Sequence, residues 1–379
     1  MSTEYREFQV FVKPVGARCN LACSYCYYPA MEDIVAPPPG SRMPDDVLEL
    51  YIRQHIEAST EPEIFFSWHG GEPTLAGLDF YRKALKYQAR YRPSGKTIVN
   101  GIQTNATAIT EEWGSFLREG RFHVGISLDG PERYHNINRT SHSGKGSFTD
   151  VIRGLEIIRK NNVPHEFLCV VSDDNAHDPL EVYRFFKNLG ATYITFLPLV
   201  EMSAAVPGEA SRRSVKPLDF GKFLSAIFDE WVEQDIGNLK VQVFEEALRT
   251  AFNQEHTLCI FRPVCGGVPV VEMNGDFFSC DHYVTPEHRI GNIHDTTLAS
   301  LLDHPGQKAF GLSKKNTLPR YCLECEVLDM CNGECPKNRF ITTPSGEPGL
   351  NYLCEGYRYF FNHCRPFVSE VARIWSSGG

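Results

Sequence analysis

The sequence lacks the features that would place the protein at a membrane or on nucleic acid. In its 379 residues no stretch approaches the roughly 18 uninterrupted apolar residues that a spanning helix requires. The opening, MSTEYREFQVFV, has no secretory-type apolar run and carries Glu4 and Glu7 instead. Basic charge is not in excess: 47 acidic residues outnumber 38 basic ones, for a net charge of -9. That balance argues against general binding to nucleic acid or to an anionic membrane surface. Low-complexity tracts are also missing. The expectation is a cytoplasmic protein. At 42% hydrophobic and 22% charged, it has enough apolar content to bury cores in two or three domains.

What the chain has in quantity is cysteine, 13 in all. In a reducing compartment, clustered thiols usually bind metal rather than pair as disulfides. Cys19, Cys23 and Cys26 fall within eight residues, CNLACSYC. Only Cys169 intervenes before the other nine, which crowd the last third from Cys259 to Cys364.

From residue 8 to 200, β-rich runs alternate with amphipathic stretches. The runs are 8–15, 63–71, 97–105, 123–129, 165–172 and 193–200. Between them, apolar residues recur at helical spacing, as at Val151, Leu155 and Ile158. Asp45 and Ser147 read as N-caps and Gly190 as a C-cap. This alternation implies βα units on a parallel sheet. Periodicity alone does not choose between a partial barrel and an open doubly wound sheet. Residues 201–217 read as an exposed linker, followed by helices near 219–235 and 242–254. After about 255 come short strands, Gly, Pro and Cys, with Asn274-Gly275 marking a hairpin.

The spacing C-x3-C-x2-C follows directly on the first strand, at the end where α/β folds place their chemistry. Structural zinc is closed by four ligands. Three thiolates suit a [4Fe–4S] cube with one iron left open to a substrate or cofactor.

This motif resembles the radical S-adenosylmethionine (SAM) superfamily, with Tyr25 as its aromatic residue before the last cysteine. HGGEP (69–73) ends the second run and resembles the segment holding the methionine amino group, which implicates Gly70, Gly71 and Glu72. SLDGPERYHNINR (127–139) is similar to the stretch whose Ser127 and Arg139 would contact SAM, and Leu199 would sit by the adenine. The resemblance implies an α/β fold, a partial (β/α)6 barrel. It also implies homolysis of a C–S bond to a 5'-deoxyadenosyl radical.

In the last third, Cys322, Cys325, Cys331 and Cys335 read C-x2-C-x5-C-x3-C, preceded by Cys259, Cys265 and Cys280 and followed by Cys354. Spacing alone groups 322 to 335 together and fits zinc as well as iron. Cys169 and Cys364 read as buried core. The region resembles a SPASM domain, which implies two auxiliary [4Fe–4S] clusters, three clusters in total. In that pattern Cys259, Cys265, Cys280 and Cys335 hold the first auxiliary cluster, and Cys322, Cys325, Cys331 and Cys354 the second. The implied division is 1–235 for the barrel with its linker and 236–379 for the SPASM domain.

FSCDHYVTPEHRIGNI (278–293), YCLECEVLDMCNGECPKNRF (321–340) and the opening KPVGARCNLACSYCYYP are similar to anaerobic sulfatase-maturating enzymes. That family oxidises a Cys or Ser in a C/S-x-P-x-R motif of an unfolded sulfatase to Cα-formylglycine. The resemblance implies Asp281, next to Cys280, as the base that takes the target's proton. Tyr28 and Gln103 are expected near the target; His69, His282 and the pair Arg212-Arg213 are given no role. A flavodoxin or ferredoxin-type donor is expected. The alternative is another SPASM enzyme, forming thioether or carbon–carbon crosslinks. Several of those carry an extra N-terminal recognition domain, for which a first strand beginning near residue 8 leaves no room.

Overall fold

The computed structural model describes residues 8–31, 40–206 and 208–377, so Glu4 and Glu7 lie outside the described residues. The expected alternation is present. Strands β1 (Phe11–Val12), β2 (Glu63–Trp68), β3 (Thr97–Thr104), β4 (Phe122–Ser127), β5 (His165–Val171) and β6 (Tyr193–Pro198) are separated by helices. These helices are Asp45–Ala58, Leu78–Tyr91, Glu111–Glu119, Phe148–Lys160 and Pro179–Asn188, with the short Glu132–Asn138 in addition. β1 is shorter than expected at both ends; at its C-terminal end Pro14 has no N–H with which to continue the ladder. Asp45 is the first helical residue rather than the cap, a position Pro44 takes; there its carboxylate still suits the helix dipole. Gly190, at φ +65°, follows the helix Pro179–Asn188 in the left-handed conformation that ends helices. The remaining strands are short: β7 (Lys240–Val241), β8 (Val270–Val271), β9 (Asp276–Phe278), β10 (Arg289–Asn292), β11 (Ile341–Thr342) and β12 (Pro348–Leu350).

The chain divides into two compact units assembled from non-consecutive segments. The first is Met1–Ser127, Asn136–His165 and Gly266–Gly311; the second is Leu128–His135, Glu166–Cys265 and Leu312–Gly379. This interleaving is a different kind of division from the 1–235 and 236–379 domains expected from sequence.

In the first unit, β1 to β4 pair in order, all parallel. The Asn274-Gly275 hairpin forms as expected, with Gly275 at φ +85° and β8 antiparallel to β9. β8 also pairs parallel with the free edge of β1, and β10 closes on β9. The core of this unit is aromatic. Trp68, Tyr51, Phe66, Phe80 and Tyr81 are fully buried, and the Trp68 indole N–H is satisfied by Asn100 Oδ1 at 2.9 Å.

In the second unit, β5, β6 and β7 pair in parallel. The helix Cys354–Ser377 approaches the helix Pro217–Gln234 closely where Gly221 meets Gly356, since a Cβ on Gly356 would lie 1.9 Å from Pro217 O. Cys169 and Cys364 are fully buried, as expected of core thiols. Among the described residues, no helix is long and apolar enough to cross a membrane.

Candidate active site

The first unit brings three chain segments together behind the CNLACSYC loop. β1 leads into it through Gly16, at φ +58°. The HGGEP turn, at the end of β2, packs against this lead-in by backbone alone. Gly71 N donates to Gly16 O and Glu72 N to Arg18 O, both at 2.9 Å. A Cβ on Gly71 would lie 2.1 Å from Arg18 O, and one on Gly70 would lie 2.7 Å from Gly16 O. Only glycine permits that approach. Glu72 is fully buried. Its Oε1 accepts from Thr74 N (3.0 Å), Thr74 Oγ1 (2.5 Å) and Thr104 Oγ1 (2.7 Å), and its Oε2 from Asn105 N (2.8 Å). Glu72 therefore ties the β2 turn to the end of β3.

Asn105 in turn reaches the cysteine loop. Its Nδ2 lies 3.6 Å from Cys19 Sγ, and Leu21 N lies 3.4 Å from the same sulfur. Burial pushes the Cys19 thiol up to about 12, with Glu72, Cys23 and Cys26 adding to the rise and Leu21 N opposing it. Burial also raises Cys26, against Arg139 and Lys13, which favour its thiolate. Buried thiols that resist ionisation when alone, but carry N–H donors and a nearby guanidinium, suit ligation as thiolates to iron in a cluster of net negative charge. The Arg139 guanidinium lies 5.5 Å from the ring centre of Tyr25. Gln103 donates to Ser127 Oγ at 3.0 Å. It occupies the space above Gly125, where a Cβ would lie 2.0 Å from its Oε1.

Asp281, just past β9, is buried. Its Oδ2 accepts from Tyr27 Oη (2.5 Å) and Tyr28 Oη (2.8 Å), and its Oδ1 pairs with Lys13 Nζ at 2.9 Å. Burial opposes ionisation, but Lys13, His282 and Tyr27 outweigh it and hold the carboxyl well below the usual carboxylate range. Both tyrosine hydroxyls are raised well above their ordinary value, chiefly by burial and then by the Asp281 charge. Sequence reading singled out Tyr28 and Asp281 but missed Tyr27, Lys13 and Glu272. The signal for the last two was a lone charge inside an apolar run, in FQVFVKPV and VVEMNG. His69 stacks on Phe11, with ring centres 3.8 Å apart and planes at 9°.

The second unit holds most of the distal cysteines. Cys322, Cys325, Cys331 and Cys354 line one pocket with Val327, Leu328 and Tyr357. Cys335, which spacing alone grouped with the first three, is not among its lining residues. Cys259, Cys265 and Cys335 belong to the same unit, whereas Cys280 belongs to the first. Lys314 is fully buried and donates to the carbonyls of Cys259 (3.0 Å) and Ile260 (2.6 Å). Burial lowers its ammonium, and Cys265, Glu334, Cys259 and Cys335 oppose that. Arg339 clasps the loop between Cys331 and Cys335, donating to Gly333 O (2.9 Å), Asn332 O (3.1 Å) and Glu334 O (3.3 Å). Buried cations among thiols suit anionic clusters, and all thirteen cysteines are free of disulfides. Leu199, following β6, is buried in the second unit.

Comparison with known proteins gives a consistent result. Residues 14–186 match the Radical SAM superfamily, and residues 259–326 match an iron-sulfur cluster-binding domain, SPASM. The chain is 43% identical over 377 residues to a serine-type anaerobic sulfatase-maturating enzyme of Bacteroides thetaiotaomicron, covering 96% of this chain and 91% of that one. It is 33% identical over 366 residues to a cysteine-type enzyme of Clostridium perfringens, covering 96% and 98%. A solved structure described as native anSMEcpe with bound AdoMet and Cp18Cys peptide superposes with a TM-score of 0.86 at 32% identity, covering 97% of this chain and 99% of that one. The shared fold is the partial barrel followed by a cysteine-rich auxiliary-cluster domain.

Proposed function

This chain belongs to the anaerobic sulfatase-maturating enzymes of the radical SAM superfamily, and from that premise we propose the roles its residues play. The enzyme oxidises a Ser or Cys of a sulfatase polypeptide, within C/S-x-P-x-R, to Cα-formylglycine. Identity is higher with the serine-type relative, at 43% against 33%, which favours serine as the target. SAM and [4Fe–4S] clusters are its cofactors. When bound, they supply a primary carbon radical that removes a hydrogen atom from Cβ of the target, and a sink for one further electron.

The chain's own residues do the rest. Cys19, Cys23 and Cys26 would hold the SAM-binding cluster. Cys259, Cys265, Cys280 and Cys335 would hold one auxiliary cluster, and Cys322, Cys325, Cys331 and Cys354 the other. The shared cavity of the last four supports that partition over grouping by spacing. Tyr25, Gly70, Gly71, Glu72, Ser127, Arg139 and Leu199 would contact SAM, and Glu72 also ties the loop that presents it to the end of β3. Asp281 would take the proton from the target hydroxyl or thiol, and Tyr28 would exchange its hydrogen bond with the substrate. A serine then loses two hydrogens to become the aldehyde. A cysteine gives a thioaldehyde that water converts to the aldehyde, releasing sulfide.

The observation that carries this reading is Asp281 beside the residues just past the third cluster ligand, with Tyr27 and Tyr28 both on its Oδ2. Replacement of Asp281 by Asn tests it. With SAM, dithionite and a target peptide, the variant is expected to lose aldehyde formation by roughly a hundredfold or more, the scale of a lost general base. Turnover at the wild-type rate removes the assignment. A flavodoxin or ferredoxin-type donor, a cytoplasmic location and the domain division 1–235 and 236–379 complete the proposal.

A further inference from the structure

Parallel pairing of β1 with β8 sets Phe11 against Val270 and Val12 against Val271. The next residues on each strand, Lys13 and Glu272, therefore emerge side by side. Lys13 N extends the ladder to Val271 O at 3.0 Å. Both side chains are enclosed, at 1% and 3% exposure. Lys13 Nζ reaches Glu272 Oε1 at 3.0 Å on one side and Asp281 Oδ1 at 2.9 Å on the other. It also lies 4.6 Å from the ring centre of Tyr28. Neither the strand ladder nor core packing requires an ammonium here, and burying one is costly unless it is paired.

The two oxygens of Asp281 are thereby made unequal. Oδ1 is held by an ammonium that is itself fixed by Glu272 and by the strand. Oδ2 faces two hydroxyls, which rotate and exchange partners at little cost. Resting on the reading of Asp281 as base, we propose that Lys13, anchored by Glu272, is a positioning residue that makes Oδ2 the oxygen meeting the substrate. Tyr27 or Tyr28 gives up its hydrogen bond as the substrate enters. The substrate O–H or S–H proton passes to Oδ2; Lys13 keeps its protons and its hold on Oδ1, and no other bond changes.

The test uses Lys13→Met, Lys13→Arg, Glu272→Gln and the double variant Lys13→Met/Glu272→Gln. The double variant removes the cation together with one of the two carboxylates it offsets, so the net charge of the site is unchanged and no unpaired carboxylate is left at position 272. Each protein is loaded anaerobically and measured for iron and sulfide, for affinity towards an S-x-P-x-R peptide, and for formylglycine formed per 5'-deoxyadenosine. In the double variant, iron, sulfide and peptide affinity are expected to hold, and 5'-deoxyadenosine to keep forming. Formylglycine per 5'-deoxyadenosine is expected to fall by roughly tenfold or more, because the base is misplaced. Lys13→Arg, which keeps a cation with donors for both carboxylates, is expected to couple better than Lys13→Met. A double variant that couples like the wild type overturns the proposal. So does one whose iron content or peptide affinity falls in step with formylglycine, since the pair is then only scaffold. Asp281→Asn separates the two readings: wild-type coupling there removes the base itself, whereas an uncoupled Asp281→Asn beside a normally coupled double variant removes only Lys13.

Discussion

A Cβ on Gly71 would lie 2.1 Å from Arg18 O and 2.3 Å from Ala17 O, so a single methyl group has to move the loop that presents Cys19. We expect Gly71→Ala to fold but to load poorly at the first cluster. Iron would fall from about twelve to about eight atoms per chain, one cube of three, and SAM cleavage would be lost while the auxiliary clusters remain. Full iron content with normal SAM cleavage in Gly71→Ala would show that the close approach is dispensable. Residue-scale features differ in how well sequence exposes them. The cysteines and Gly-Gly-Glu were legible because their chemistry or spacing is unusual. Lys13 and Glu272 were not, because one charge in an apolar run reads as a strand-end residue until the strand across from it is known. Tyr27 lies beside Tyr28 in the sequence, yet nothing local says that both side chains converge on an aspartate more than 250 positions away.

Elements carry both the stability of the first unit and the main surprise. The helix Asp45–Ala58 buries His55 against β2, its ring 4.4 Å from that of Phe66 and its Nδ1 3.2 Å from the Tyr51 hydroxyl. Burial lowers His55 from 6.5 to about 3. The unfolded chain therefore binds a proton that the folded chain refuses, and stability is lost as pH falls below about 6.5. With one proton taken up on unfolding, the expected slope is about 1.4 kcal/mol per pH unit. Denaturant midpoints for the wild type and His55→Phe should diverge in the acid limb; parallel curves would mean that His55 already titrates when folded. Trp68 on β2, fully buried among Tyr51, Phe66, Phe80 and Tyr81, should cost about 3–5 kcal/mol on replacement by Ala, read from the same midpoints. Helix and strand positions were largely legible, since Phe148–Lys160 forms around the helical spacing of Val151, Leu155 and Ile158. The docking of β8 on β1 was not. A two-residue strand has too little pattern to specify its partner, and that docking brings Glu272 and Asp281 to Lys13.

Across the whole molecule, three clusters of cysteine chemistry serve one oxidation. The distal set was legible as a count, but its partition came from the family resemblance and not from spacing. C-x2-C-x5-C-x3-C invites grouping Cys335 with Cys322, Cys325 and Cys331, whereas the cavity takes Cys354 instead. Chain spacing misleads there because the helix Cys354–Ser377 returns its first residue to the cavity. Cys354→Ser should therefore disturb the cluster of Cys322, Cys325 and Cys331. Its spectroscopic signature should change while that of the other auxiliary cluster stays, and the reverse is expected for Cys335→Ser. The most direct test of the whole account is anaerobic incubation of the loaded enzyme with SAM, dithionite and two peptides, one S-x-P-x-R and one C-x-P-x-R, followed by mass spectrometry. The account predicts aldehyde at the target residue of the serine peptide, formed in step with 5'-deoxyadenosine and abolished in Asp281→Asn. SAM cleavage that leaves both peptides unchanged, or that yields a crosslink in place of an aldehyde, would contradict it.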